Sequence, residues 1–452
     1  MSRKTALSPL SAVSLFSNCG AGDVGFARAG FSFDVLAELV PRRLAVAQLN
    51  HPEAEGVPGD LRETLPEVVL KYRRRRGDTP PDLLVACPPC QGMSSAQSAR
   101  GLAADPDAGS RDARNLLVEV VANAVAELSP RALVVENVQA FLTRKVRHPR
   151  TGQPVSGATF LINELTASYE VYPLLTDLAD FGVPQSRKRS FLTFIRRSET
   201  AIGVLQRHGW APYPWAPRST GADTQHISVR DALNSFDLPP LDASSAERAA
   251  SGMPMHSVPI WPDLRYRMIS SIPPNTGMSA WDNDTCTECG WRTEDRAAAR
   301  CEACGAILPR PVTKDDDGTM RLVRGFHTSY RRMHSDKPAS TVTTASGHVG
   351  SDITIHPWEN RVLSPLECQL LQTIPSSFRW GDALETWGPT NVRAMIGEAV
   401  PPLFTRKHGR ILAQLLRGIA PRVALPAEDR RIGAARRALQ RSSRMSASVC
   451  RL

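Results

Sequence analysis

Asp82-Leu-Leu-Val-Ala-Cys-Pro-Pro-Cys-Gln-Gly-Met-Ser94 decides the fold. Leu83 to Ala86 form a continuous apolar run, the composition of a strand covered on both faces in a mostly parallel sheet. Pro88 and Pro89 offer no backbone N–H, so a hydrogen-bonded ladder cannot pass through them. Cys90 therefore belongs to a loop at the carboxyl end of a strand, the edge of an α/β sheet where ligands collect. Standing alone, Cys90 reads as a small buried hydrophobe, the commonest fate of a free cysteine. Its neighbours along the chain reverse that reading.

Toward the N-terminus, Ser11 to Phe16 is a strand candidate followed by Ser17-Asn-Cys-Gly-Ala-Gly-Asp-Val-Gly25 and a helical pattern through Ala29. Strand, glycine turn and helix make a dinucleotide-type cradle: Gly20 and Gly22 allow a tight turn and close backbone approach, and Gly25 allows the helix to pack closely on a strand. A single glycine-rich turn is as consistent with a plain connection as with a ligand site. A second strand candidate, Phe33 to Leu39, ends near Glu38, placed either for ribose hydroxyls or as a solvated strand-end carboxylate. Gly59-Asp60-Leu61 brings another acid to a turn, suited to an exocyclic amine and equally to a helix cap. The basic run Lys71 to Arg76 reads as a solvated helix end.

Toward the C-terminus, Gly92 to Arg114 has no helical or strand period, is rich in small residues and carries Arg100 and Arg111, the texture of a functional lid. Asn115 to Leu128 reads as a helix, and Ala132 to Val135 as a buried strand that delivers Glu136-Asn-Val138 to the same sheet edge as Cys90. Val171 to Leu178 and Phe191 to Ile195 are further strands, the second giving Arg187 and Arg189 a platform. From Arg197 prolines, tryptophans and polar loops replace that alternation, marking a second domain.

Within it, Cys286-Thr-Glu-Cys289 and Cys301-Glu-Ala-Cys304 are separated by eleven residues, and each second cysteine precedes a glycine. Paired knuckles of this spacing match a tetrahedral thiolate zinc site, and four thiolates leave no open position, so the metal would be structural. Arg292, Arg296 and Arg300 are expected to make this ribbon basic enough to lie against phosphate. Further on, Ser364 and Glu367 fit a capping box with Pro365 at the first helical position. Gly397 to Pro402 leads into a helix, Leu403 to Leu416, expected to dock on the first domain, and the stretch from Pro426 reads as a loose basic tail or frayed helix.

A chain of 452 residues suffices for two or three domains, and its net charge of +10 points to a polyanion, nucleic acid first and an anionic membrane surface second. No secretion signal or membrane-spanning run is apparent, so a cytoplasmic location is expected. There the nine cysteines would be catalytic, metal-bound or buried, not disulfide-bonded.

With Pro-Pro-Cys90-Gln, Glu136-Asn-Val and Gln185-x-Arg-x-Arg in this order, the chain resembles the cytosine-5 DNA methyltransferases. Ser14 to Phe31 is similar to the family's S-adenosylmethionine turn, and residues 361–372 and 397–402 to its closing motifs, so the likeness spans nearly the whole chain. The resemblance implies an α/β class I methyltransferase fold over residues 1–196, a Rossmann-like mostly parallel sheet with helices on both faces. It implies a smaller mixed target-recognition domain over 197–380 containing the zinc ribbon at 286–304, a returning segment over 381–425 and a basic tail over 426–452.

By the same resemblance, S-adenosylmethionine would rest on Phe16, Asn18 and Gly20, with Glu38 on its ribose, Asp60 and Leu61 near adenine, and Val400 from the returning segment. Cys90 would add as a thiolate to carbon 6 of a cytosine flipped out of double-stranded DNA. Glu136 would hydrogen-bond the ring nitrogen and exocyclic amine; Arg187 would hold the cytosine carbonyl, and Arg189 would organise the loop or a phosphate. The family usually has Gly at the position of Asn18 and Asn at that of Glu398. A monomer serving bacterial restriction-modification or anti-phage defence, with other defence components as further partners, is the expected setting. A transfer-RNA cytosine methyltransferase and a catalytically silent DNA-binding regulator are the alternatives.

Overall fold

The computed structural model describes residues 8–89, 117–148, 151–217, 226–323, 325 and 328–449; Cys90 and the expected lid Gly92 to Arg114 lie outside them. The described residues fall into two compact units, one drawn from Met1–Phe181, Lys188–Thr224 and Ala399–Leu452, the other from Gly182–Arg187 and Gln225–Glu398.

The first unit is built on a sheet whose described strands are β1 (Leu10–Leu15), β2 (Phe31–Glu38), β3 (Glu55–Pro58), β4 (Leu83–Ala86), β5 (Ala132–Val138), β6 (Tyr169–Asp177) and β7 (Lys188–Arg196). They lie in the order β3-β2-β1-β4-β5-β7-β6. Pairings from β3 to β5 are parallel, whereas β7 runs antiparallel to both β5 and β6. The reason lies in the connections: each parallel step is joined through a crossover, but only the short segment 178–187 joins β6 to β7, too little chain for a parallel return. All of β1 and β4 is buried, as central parallel strands covered on both faces must be.

Helices α1 (Ala21–Ala27), α2 (Pro41–Asn50), α3 (Leu61–Arg76), α4 (Leu117–Leu128) and α5 (Gly157–Leu165) follow strands of this unit. The basic run at the end of α3 is not simply solvated. Arg75 and Arg76 converge at 3.3 and 3.0 Å on Asp34, a buried carboxylate of β2, while Arg73 and Arg74 face Glu127 and Glu55. The helix Pro402–Leu416 packs on α1 as expected, through contacts too close for a side chain at Gly25: a Cβ there would collide with Thr405 and with the backbone of Pro402. Gly25 thus serves helix-on-helix packing, where helix-on-strand packing was expected.

Of the loose basic tail or frayed helix expected from Pro426, the structure has the helix, and packs one face of it. Arg430–Val449 is a helix, with Ile432, Ala435 and Ala438 buried and Arg431 paired to Asp429 and Asp180. Apolar residues three apart, hidden among arginine pairs, supply the packing face that the composition obscured.

The second unit has little regular structure: Val229–Asn234, Asp263–Ser270, Pro365–Leu371, Ala383–Trp387 and Pro389–Glu398 are short helices, and Val312–Lys314 pairs with Met320–Leu322. Backbone carbonyls left without ladder partners must be satisfied otherwise. Buried arginines do this: Arg332 donates to the carbonyls of His356, Glu359 and Ile269, and Arg310 to those of Asn283, Asp295 and Ala298. The capping box of Ser364 and Glu367 forms, and Glu367 also binds Arg361 at 2.6 Å. Burial would raise the Glu367 carboxyl, but the charge and hydrogen bonds of Arg361 hold it well below the ordinary range.

The units depart from the expected boundaries at 196 and 380. Trp210–Ala211 pairs with Leu425–Pro426 in the first unit, while Gln185 bridges Ala339 and Gly397 presses against Thr343 in the second.

Candidate active site

Three adjacent strand ends of the first unit, those of β1, β2 and β3, bring the expected cofactor residues to one edge of the sheet. The chain leaves β1 through Phe16, Asn18 and Gly20, at φ 59°, 50° and 73°, left-handed at every second residue. Asparagine is among the few non-glycine residues that adopt this conformation readily, so Asn18 keeps a turn where the family usually has glycine. At Gly20 a side chain would be both strained by the positive φ and tight, its Cβ 3.0 Å from that of Ala47. Glu38, at the end of β2, accepts from the backbone N–H of Asn18 at 2.9 Å and of Val40 at 3.1 Å. It is a buried brace between two strand ends, which removes the solvated reading. Val400 packs over Gly22, within 3.4 Å of where a Cβ would be.

Phe16, Asn18, Gly20, Glu38 and Val400 therefore share one rim of the first unit, a left-handed turn with a fixed carboxylate beside it. Asp60, at the end of β3, caps α3 by accepting from the backbone N–H of Arg62 at 2.9 Å, and Leu61 is buried. Hydrogen bonds from the Arg62 side chain, then from its backbone, lower the Asp60 carboxyl.

Beneath the cradle lies Asp23, which sequence reasoning passed over. Ser14 Oγ donates to both its carboxylate oxygens, at 3.1 and 3.0 Å, and burial pushes its pKa up to about 7. The signal available was an acid in the first turn of an otherwise apolar helix.

The ends of β4, β5 and β7 lie next along the same sheet. Asn137 was read only as part of a motif, but its Nδ2 donates to the carbonyl of Pro88 at 2.9 Å, tying the Pro-Pro turn to the end of β5. Ser190 Oγ donates in turn to the carbonyls of Asn137 and Val138. Glu136 is opposite Phe191 in the antiparallel pair, and Arg189, opposite Val138, is its diagonal neighbour on the same face. Arg189 Nε lies 3.0 Å from Glu136 Oε1, both side chains largely shielded from solvent.

Arg187 was expected to hold the cytosine carbonyl, and Arg189 to organise a loop or phosphate. In the structure it is Arg189 that pairs with Glu136. Arg187 is buried in the second unit, donating to the carbonyls of Val342 at 3.1 Å and Gly397 at 2.8 Å. Gln185 accompanies it, donating to Leu371 O and accepting from Val342 N. Of the two cysteines flanking the prolines, Cys87 is described: burial first and the charge of Glu136 second push its thiol well above the ordinary range, so it is kept as an unreactive thiol.

In the second unit the sulfurs of Cys286, Cys289, Cys301 and Cys304 all lie within 4.8 Å of one another. Cys286 and Cys304 are 3.7 Å apart, Cys289 and Cys301 3.6 Å. A tetrahedron with metal–sulfur bonds of about 2.3 Å has edges of about 3.8 Å, so the spacing fits a soft four-coordinate cation. The two knuckles repeat one geometry: Gly290 N donates to Cys286 O and Gly305 N to Cys301 O, with φ of 75° and 74° at the glycines. The expected basic character is absent: from Asp284 to Cys304 five carboxylates outnumber three arginines, and Arg292 is paired with Asp284 at 2.6 Å. Among the described residues no helix is long and apolar enough to cross a membrane.

A family model described as C-5 cytosine-specific DNA methylase matches residues 10–413. The type II methyltransferase M1.HgaI of Avibacterium volantium is 26% identical over 401 residues, 87% of this chain and 95% of that protein. The type II methyltransferase M.AquIA of a Picosynechococcus species is 31% identical over 243 residues, 52% of this chain and 91% of the relative. A crystal structure described as that of a DNA modification methyltransferase encoded within an Escherichia coli prophage superposes with a TM-score of 0.56 at 18% identity, covering 90% of this chain and 99% of the other, a likeness of fold.

Proposed function

Because the chain belongs to the C-5 cytosine-specific DNA methylase family, which methylates cytosine in DNA from S-adenosylmethionine, we propose how its residues divide that work. When bound, the cofactor supplies an electrophilic sulfonium methyl group. Phe16, Asn18, Gly20 and Val400 hold it, Glu38 faces its ribose, and Asp60 and Leu61 border its adenine; the shared rim described above supports this reading.

Cys90 is the nucleophile. Its thiolate forms a bond to carbon 6 of the flipped cytosine, the electrons of the 5,6 double bond move to carbon 5, and carbon 5 takes the methyl group. Loss of the carbon 5 proton then expels the thiolate and restores the ring. Glu136 hydrogen-bonds the ring nitrogen and exocyclic amine, so that the ring accepts the added electron density. Arg189 is the arginine that works with Glu136, fixing its carboxylate and placing positive charge at the cytosine carbonyl. Arg187 is a positioning residue that ties its own segment to Val342 and Gly397.

The observation that carries this assignment is the Arg189–Glu136 pair at 3.0 Å on neighbouring strands, with Asn137 anchoring the Pro88 turn beside it. The second unit is the target-recognition unit and its four cysteines hold a structural zinc ion. Relatives named type II methyltransferases support a restriction-modification setting.

DNA containing 5-fluorocytosine tests the nucleophile. With methyl donor present the chain becomes covalently attached, and attachment that survives Cys90→Ala would sink the assignment. The arginines are separated by rate: Arg189→Ala lowers kcat at saturating DNA much more than Arg187→Lys does. The reverse order would return the catalytic role to Arg187.

A further inference from the structure

Helix Arg430–Val449 carries six arginines and no acidic residue. Its packing face is already occupied: Ile432, Ala435 and Ala438 are buried, and Arg431 is held at 3.2 Å from Asp180 and 2.8 Å from Asp429. The opposite face exposes Arg436, Arg437 and Arg441. Several other surface arginines of this unit face carboxylates, as Arg74 faces Glu55 and Arg197 faces Glu170, whereas Arg436, Arg437 and Arg441 are close together on one helix. Among the described residues no carboxylate is within ion-pair distance of Arg436, Arg437 or Arg441. Arg437 and Arg441 are one helical turn apart and Arg436 adjoins them, so three cations repel one another with no described carboxylate in ion-pair reach.

Arg436 also borders an open groove of about 440 Å³ whose lining is half apolar, from Ile162, Val171, Pro173 and Leu439, with Thr159, Asn163 and Gln440 adding uncharged hydrogen-bonding groups. The helix packs chiefly on the edge strand β6 and also touches the turn Gln139–Leu142, which follows Glu136-Asn-Val138, so it belongs to the unit that carries the reactive rim.

We propose that the Arg436, Arg437 and Arg441 face is a phosphate-contact surface that holds the backbone of the duplex substrate independently of its sequence. Guanidinium forks match phosphate oxygens in geometry as well as charge. A bilayer is the poorer fit, since the apolar face an interfacial helix would bury in lipid is spent inside the protein.

The salt dependence of binding reads this contact directly. The full chain is titrated onto a fluorescent duplex of arbitrary sequence, and the logarithm of affinity is plotted against that of potassium chloride concentration. Each phosphate contact contributes a slope of about 0.9, so Arg436→Gln/Arg437→Gln/Arg441→Gln flattens the slope by about 2.7 and weakens binding roughly 10²-fold at about 0.1 M salt. The triple lysine variant keeps most of the slope. Arg73→Gln/Arg74→Gln/Arg75→Gln removes equal charge from arginines already paired, and leaves the slope in place.

An unchanged slope in the first variant overturns the proposal, and so does equal flattening in the α3 variant, which would mean net charge alone. If circular dichroism shows the triple variant unfolded, Arg437→Gln alone must flatten the slope by about 0.9, and no change overturns the proposal. Phosphatidylserine vesicle binding that the triple glutamine variant loses, with its DNA slope intact, would assign the face to a membrane instead.

Discussion

Substituting Gly25 by alanine probes how the cofactor rim is held together. The added Cβ would overlap Thr405 Oγ1 and the carbonyl oxygen of Pro402, and would stand 2.8 Å from the backbone N of Arg406. Two of these atoms are helix backbone, so no rotamer change relieves the clash. To restore an ordinary 3.4 Å contact at Arg406 alone, the helix Pro402–Leu416 must retreat by 0.6 Å. That retreat stretches the bond that Thr405 Oγ1 donates to Gly22 O, now 2.7 Å, and draws Val400 away from Gly22.

Overpacking costs about 1–3 kcal/mol and the lost hydrogen bond about 1, offset by about 1 kcal/mol of better helix propensity. A net loss of about 2 kcal/mol lowers the melting temperature by roughly 4–8 °C. The assay is thermal unfolding with and without S-adenosylmethionine: the alanine variant melts lower and gains less from the cofactor. Thr405→Ala alone loses only about 1 kcal/mol, and adding Gly25→Ala to it still destabilises, because the Pro402 carbonyl remains in the way. A double variant as stable as Thr405→Ala, or a single variant with unchanged melting and cofactor response, refutes the backbone argument.

Three further outcomes are expected. Asp23 has its folded pKa raised to about 7, so the native state holds a proton that the unfolded chain releases near 4; stability is therefore lost as pH rises from about 4 to about 7, by up to about 4 kcal/mol. Asp23→Asn should gain stability at pH 8 relative to wild type and little at pH 4, measured by urea midpoints; an equal gain at both pH values contradicts the buried proton. Asn137→Ala strands the Pro88 carbonyl, costing about 1–3 kcal/mol, and should slow methyl transfer at least tenfold while leaving duplex affinity intact; an unaltered kcat would show that the anchor is dispensable. Elemental analysis should find one zinc ion per chain, with chelation lowering the melting temperature; zinc-free protein that melts unchanged would remove the metal from the second unit.

Much of the first unit was legible because local chemistry writes it. Apolar runs that stop at prolines mark buried parallel strands, as at Leu83–Ala86, and a glycine turn between strand and helix marks a cradle. The cysteine pairs likewise announced their cluster through spacing alone. The second unit was hardly legible, since its backbone is satisfied by buried arginines such as Arg332 and Arg310, whose partners have no sequence period.

Residue types, their order and the breaks between elements belonged to the sequence, because steric and hydrogen-bonding limits of neighbouring residues enforce them. Partner choice belonged to the tertiary structure. Arg187 and Arg189 differ by two positions, yet one donates to Val342 and Gly397 while the register of β5 against β7 delivers the other to Glu136. The same holds for the arginines of α3 on Asp34 and for Gly25 under a helix far along the chain. A charge or a missing side chain can meet many partners, and only the folded arrangement of distant segments selects one.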